Sequence, residues 1–107
     1  MRWKDFTLSL HFEENGGHLD LFLDPGEEQE LLTFGSSQEN LNAFLNGCVV
    51  EFEKKRSHRR EYLEYEGSIP QRGRIEIVLR GKYRVDELQT SEKVRLKYRE
   101  GKLYPER

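Results

Sequence analysis

This chain of 107 residues contains one cysteine, three prolines and no long apolar run. Because Cys48 has no partner thiol in the chain, an internal disulfide and a thiolate metal cluster are both excluded. Its neighbours Val49 and Val50 favour a buried, inert thiol over a reactive one. No segment reaches the roughly 18 to 20 apolar residues of a membrane-spanning helix, and charged side chains stand where a signal peptide needs an apolar run. We therefore expect a cytoplasmic protein that contacts no membrane.

Apolar residues are scarce as well, because they make up 35% of the chain while 36% of its residues are charged. This composition supports only a small core, and the length is that of one domain over residues 1–107. The sequence also lacks a Gly-rich phosphate loop, a nucleophile elbow and a Cys/His nucleophile pattern. Covalent catalysis therefore has little support.

The formal net charge of -2 conceals an uneven distribution. Residues 1–53 hold 11 acids and 2 bases, whereas residues 54–107 hold 9 acids and 16 bases. Attraction between the two halves in the fold explains this division, and the alternative is an acidic cation site beside a basic polyanion site. Because affinity for long nucleic acid depends on many phosphate contacts, a net acidic chain binds it poorly. We expect any nucleic-acid partner to be met at one local site.

The N-terminal part of the sequence predicts a β-hairpin. Residues 6–12 alternate between apolar and polar side chains, which is the period of a half-buried strand. Residues 14–17 include Asn15, Gly16 and Gly17, which accept the positive φ of a tight turn, and residues 18–24 form the second predicted strand. The first strand has an apolar face of Phe6, Leu8, Leu10 and Phe12 and a polar face of Thr7, Ser9 and His11.

The rest of the chain continues with short strands. These strands are predicted over residues 30–34, 48–53, 74–79, 82–85, 93–98 and 102–104. Residues 36–46 are the one good helix candidate, with Ser and Asn caps at the start and Gly47 at the end. The polar run 54–60 lies outside any predicted strand. The pattern predicts a mainly β fold, either a small antiparallel β-barrel or a strongly curved sheet, with one short helix.

Three residues of the predicted hairpin are candidate metal ligands. If the first two strands pair across their turn, the face opposite the leucines brings together His11, His18 and Asp20, with Phe22 farther along the same face. Two imidazoles and a carboxylate suit manganese or zinc, and these donors do not choose between the two metals. A solvated hairpin face that happens to carry two histidines is the alternative.

A second candidate set lies between residues 56 and 72. His58 and Tyr62 are four residues apart, which places two side chains on one face of either a helix or an extended segment. A proton-transfer group beside a phenol is a plausible pair for handling phosphate. The arginines with the charge to neutralise a phosphate here include Arg56, Arg59, Arg60 and Arg72. A solvated basic loop explains the same residues without chemistry.

These segments resemble the 3'-phosphoesterase domain of bacterial DNA ligase D. That family's signature is similar to His58-x3-Tyr62-x2-Tyr65-Glu66-Gly67-x-Ile69-Pro70, and its His-Tyr-Asp-x-Arg-Leu-Glu strand is similar to His18-Leu-Asp20-Leu-Phe22-Leu-Asp24. The order of the motifs along the chain also agrees. Later segments, Gly81-Lys-Tyr83 and Glu100-Gly101-Lys-Leu103, resemble the closing strands of the family.

The resemblance implies a small β-barrel that binds manganese and trims 3' ends of DNA or RNA in end repair. The implied reactions are removal of a terminal ribonucleoside and then of a 3'-phosphate. By matching position, His18 and Asp20 look like metal ligands, while His58 and Tyr62 look like the residues that meet the scissile phosphate. The implied partners are a nucleic-acid 3' end and a separate ligase or polymerase.

The chain departs from the family pattern at two positions. The family's other metal histidine falls where this chain has Phe12, so His11 is the substitute candidate one residue away. The arginine two positions after the family's aspartate is replaced by Phe22, and Arg56, Arg59 or Arg72 would have to supply its charge. These departures keep two alternatives open: a noncatalytic relative that binds a nucleic-acid end, a nucleotide or a protein, and a purely structural domain.

Overall fold

The computed structural model describes residues 2–84 and 92–106, and it shows eight strands and one short α-helix. The strands are β1 (Trp3–Glu13), β2 (Gly16–Leu23), β3 (Leu31–Ser37), β4 (Val50–His58), β5 (Gly67–Ser68), β6 (Arg74–Arg84), β7 (Lys93–Arg99) and β8 (Lys102–Pro105). The helix α1 (Leu41–Leu45) follows a 3-10 turn, and a second 3-10 turn spans Arg60–Leu63. Within the described ranges no helix is long and apolar enough to cross a bilayer.

The strands form one strongly curved sheet that nearly closes into a ring. Their order is β1-β2-β3-β4-β7-β8-β6-β5, and β1 also pairs with β6, which brings the two ends of the sheet together. Among the described residues, strand pairing is antiparallel except for one parallel contact between β6 and β8. The predicted mainly β fold with one short helix is therefore confirmed.

The main core fills the interior of this curved sheet. The alternation of β1 and β2 turns Phe6, Leu8 and the leucines of β2 inward, where they meet Phe44 of α1 and Phe52 of β4. Phe12 was predicted to share this face, but it is 37% exposed because it lies at the hairpin end of β1, beyond the packed layer. Cys48 is also exposed, contrary to prediction, because it lies in the turn between α1 and β4.

Several element boundaries differ from those predicted. The helix predicted over residues 36–46 is shorter, since β3 continues to Ser37 and α1 spans only Leu41–Leu45 after a 3-10 turn. Two strands run farther than predicted because their pairing partners lie far along the chain. β4 continues through the polar run to His58, since Lys55 pairs with Thr33 and His58 with Leu31 on β3. The predicted break at Gly81 is instead a close approach inside the continuous β6, where a Cβ would lie 2.2 Å from the carbonyl oxygen of Gly101. Val85, predicted to end this strand, lies outside the described residues.

A second apolar cluster covers the outer face of the β1–β2 hairpin. Phe22, Leu31 and Ile75 are buried there beneath the segment 59–69, which we call the cover segment. The side chains that this segment packs against them are Tyr62, Leu63, Tyr65 and Ile69. The outer face of the hairpin is therefore a buried layer rather than a solvated polar face.

Hydrogen bonds fasten the cover segment to the hairpin. Arg60 donates from both terminal nitrogens to the two carboxylate oxygens of Asp24, at 2.8 and 2.9 Å. Thr7 Oγ1 donates to the carbonyl oxygen of Leu63 at 2.6 Å. The hydrogen bonds from Arg60 lower the pKa of the Asp24 carboxyl below its ordinary value. The segment is thus held both at its start and near its middle.

The Asp24–Arg60 contact predicts that part of the free energy of unfolding is lost at acidic pH. Because the folded-state pKa of Asp24 is lowered from 3.8, its stabilisation is complete above that pH and is lost as the pH falls through the folded value. We expect Asp24→Asn to lower the free energy of unfolding by about 1–3 kcal/mol near neutral pH, and by less below the unfolded-state pKa. Urea unfolding at several pH values measures the difference.

A matched control for this variant is Asp5→Asn. Asp5 pairs with Lys82, but both side chains are 54% exposed, so the expected loss is below about 1 kcal/mol. A gap between wild type and Asp24→Asn that stays constant on acidification would contradict the proposed linkage.

Candidate functional site

The β1–β2 hairpin brings the three candidate metal ligands together. His11 lies directly opposite His18, and Ser9 lies opposite Asp20. Nitrogens of the two imidazoles and a carboxylate oxygen of Asp20 lie within 4.8 Å of one another. The Oδ2 atom of Asp20 is 3.7 Å from His11 Nδ1 and 3.3 Å from His18 Nε2. The hairpin therefore has the convergence that its sequence predicted.

Each imidazole directs one nitrogen towards Asp20 and the other towards an outer acceptor. His11 Nε2 lies 2.6 Å from the carbonyl oxygen of Arg72 and donates to it, so Nδ1 is the nitrogen that could bind a metal ion. His18 Nδ1 lies 3.6 Å from Glu13 Oε1, on the side away from Asp20. Outer acceptors of this kind orient histidines that bind metals.

Gly73 allows the carbonyl of Arg72 to reach His11. Its φ is +85°, and a Cβ at this position would lie 1.9 Å from the carbonyl oxygen of Phe12. Only a glycine lets the turn before β6 pack so closely on β1. The orientation of the His11 ring thus depends on a turn more than 60 residues away in the chain.

The second oxygen of Asp20 is occupied by Lys55. Lys55 Nζ lies 2.9 Å from Asp20 Oδ1, and the aspartate side chain is only 3% exposed. Gly35 pairs with Asp20 across the β2–β3 ladder and leaves room for the stem of the lysine. Neither Lys55 nor Glu13 was identified from the sequence. Extending β4 through the polar run would have revealed Lys55.

His58 and Tyr62 approach each other, but neither a helix nor a single strand brings them together. His58 ends β4 and Tyr62 lies in the following 3-10 turn, with ring centroids 5.5 Å apart. The fully buried ring of Phe22 lies beneath both, at 5.3 Å from His58 and 6.0 Å from Tyr62. His58 Nδ1 donates to the carbonyl oxygen of Arg56 at 2.9 Å, so Nε2 is the ring nitrogen that lies outside this hydrogen bond.

A single groove of about 430 Å³ contains both candidate sets. Eight of the nine candidate residues from the sequence line it: His11, His18, Asp20, Arg56, His58, Arg59, Tyr62 and Arg72. The side chains of the three arginines are exposed, and Arg59 also pairs with Glu61 at 3.7 Å. Arg60 differs from these arginines because its guanidinium is bound to Asp24.

Comparisons with protein-family models, with curated proteins and with solved structures find no match for this chain. The assignment of chemistry to the groove therefore depends on its residues and their geometry.

The buried position of Phe22 predicts that the arginine of the resembled family is not tolerated there. We expect Phe22→Arg to lower the free energy of unfolding by at least about 3 kcal/mol, because it places an unpaired charge beneath the cover segment. Phe22→Leu keeps the site apolar and should cost only about 1 kcal/mol. Urea unfolding compares the two variants. A Phe22→Arg protein as stable as Phe22→Leu would show that Phe22 is not part of a closed apolar layer.

Proposed function

We propose that this protein is a metal-dependent phosphoesterase that acts on 3' ends of nucleic acid. Its reaction is the removal of a 3'-phosphate or a terminal ribonucleoside during end repair. The observation that carries the proposal is the meeting of two candidate sets, from residues 11–20 and 56–72, in one groove. The resemblance to the 3'-phosphoesterase domain of DNA ligase D agrees with it.

The donor set at the hairpin fits a divalent metal ion. His11 Nδ1, His18 Nε2 and Asp20 Oδ2 would hold it, and the mixed nitrogen and oxygen donors suit manganese, with zinc as the alternative. A metal bound there supplies Lewis acidity towards a phosphate oxygen and favours deprotonation of water. Glu13 Oε1 lies 3.6 Å from His18 Nδ1, outside the donor set, and would orient that ring, whereas it lies 3.7 Å from His11 Nδ1, which is itself a donor atom.

His58 and Tyr62 supply proton transfer and orientation at the other side of the groove. As water adds to phosphorus and loses a proton to solvent, the bond to the leaving oxygen breaks. His58, protonated on both ring nitrogens before this step, gives that oxygen its Nε2 proton while Nδ1 still donates to the Arg56 carbonyl. The Tyr62 hydroxyl donates a hydrogen bond to a non-bridging oxygen. Arg56, Arg59 and Arg72 neutralise the charge of the phosphate.

A noncatalytic function of the same groove is the second candidate. Phe22 stands where the resembled family has a cation, and Lys55 already neutralises Asp20 at 2.9 Å. Under this alternative the protein recognises a phosphorylated nucleic-acid end, a nucleotide or a protein partner without turning it over.

The deciding experiment incubates the protein and Mn²⁺ with a primer-template that ends in a 3'-phosphate. We expect a 3'-hydroxyl product that requires the metal and disappears in His18→Ala. His58→Ala should lower the rate at least about a hundredfold, and Tyr62→Phe by about tenfold to a hundredfold. Product formation is followed by gel mobility, and a parallel substrate ends in one ribonucleotide.

Tyr104→Phe is the matched control for Tyr62→Phe, because Tyr104 lies on β8, away from the residues that line the groove. Its rate should equal that of wild type. Tight binding of the 3'-phosphorylated substrate without product supports the noncatalytic alternative. Neither binding nor product, or a His58→Ala rate equal to wild type, rules out the catalytic proposal.

A further inference from the structure

Lys55 and the proposed metal site share a single carboxylate. The lysine ammonium lies 2.9 Å from Asp20 Oδ1, whereas Oδ2 of the same carboxylate faces His11 and His18 at 3.7 and 3.3 Å. One negative charge therefore serves two cation positions, one on each oxygen. Since Asp20 is nearly buried, solvent screens the two positions from each other only weakly.

The fold places Lys55 at this position through local packing. Lys55 extends from β4, where it pairs with Thr33, and its stem crosses Gly35 of the neighbouring β3. A Cβ on Gly35 would lie 2.6 Å from Lys55 Cδ, so the absence of a side chain there makes the crossing possible. Lys55 keeps 37% of its side chain exposed and lines the groove that contains His58 and Tyr62.

We infer that Lys55 has two opposed effects on this site: its ammonium competes with the metal ion for Asp20, and it contacts the phosphate of the substrate. The inference rests on the proposed function and extends it to substrate choice. The ammonium of Lys55 has three N–H donors. One donates to Asp20, and the other two are available to an anion in the groove. The Lys55 ammonium attracts a dianionic terminal phosphate more strongly than it attracts a monoanionic internal phosphodiester.

A purely structural salt bridge would behave differently when it is removed. Loss of a structural contact loosens the site and weakens the binding of metal and phosphate together. Loss of a competing cation instead strengthens metal binding while it weakens phosphate binding. The opposite signs of the two changes therefore separate these interpretations.

The test compares Lys55→Met with wild type in two titrations. Calorimetry with Mn²⁺ alone should show about threefold to tenfold tighter binding by the variant, because the competing charge is gone. Binding of a 3'-phosphorylated oligonucleotide to the Mn²⁺-loaded protein is compared with binding of its 3'-hydroxyl counterpart. We expect the preference for the phosphate to fall about tenfold, which corresponds to about 1.4 kcal/mol.

Three further variants keep the test interpretable. Gly35→Ala retains the charge of Lys55 but displaces its stem, so it should change both titrations in the same directions as Lys55→Met. Lys55→Arg keeps a cation and should retain most of the phosphate preference. Lys97→Met removes an equal charge from an exposed pair with Glu106 and should change neither titration. Thermal unfolding establishes that each variant is folded.

The outcomes distinguish this inference from the proposed function. Suppose that wild type binds Mn²⁺ and prefers the 3'-phosphate. If Lys55→Met then weakens both Mn²⁺ binding and the phosphate preference, or changes neither of them, the role of Lys55 is refuted and the proposed function stands. If wild type binds no Mn²⁺, both are refuted. If wild type binds Mn²⁺ without preferring the phosphate, the phosphate contact and the proposed substrate are refuted together.

Discussion

The packing of the cover segment over Phe22 is the constraint on which the candidate site depends. Phe22 has no exposed surface, and the rings of His58 and Tyr62 lie on it. Burying an aromatic side chain of this size contributes a few kcal/mol, which is a large share of the stability of a small domain. The same contact therefore completes the outer layer of the fold and places the two proposed reactive side chains at the groove.

The register of the β1–β2 hairpin links this layer to the metal ligands. Side chains alternate strictly between the two faces of a strand, so Asp20 and Phe22 must lie on the same outer face as His18. Asp20 contributes to the ligand set while Phe22, two residues on, anchors the cover segment. A shift of one residue in this pairing would turn both towards the main core. Fold and candidate site are therefore specified by one pairing register.

Local patterns in the sequence predict the parts of the structure that depend on neighbouring residues. Alternation located the first hairpin and placed its two histidines on one face. The course of β4 beyond Glu53 was not predictable in this way, because charged residues there pair with a strand 20 or more positions earlier. The role of Phe22 was missed for the same reason. Its apolar partners come from the cover segment and β6, and no local spacing indicates such a contact.

The uneven charge distribution along the chain has a structural explanation that also bears on function. Ion pairs join acids of the first half to bases of the second, including Asp24 with Arg60 and Asp20 with Lys55. Both carboxylate oxygens of Asp24 accept hydrogen bonds from the guanidinium of Arg60, and this contact holds the cover segment. Asp20 uses only one oxygen on Lys55 and turns the other towards two imidazoles. Asp20 and Asp24 lie four residues apart, yet only Asp24 has both carboxylate oxygens paired with a cationic side chain. Among the residues that the structure describes, Asp20 has one oxygen without such a pair, and that oxygen lies beside the proposed metal site.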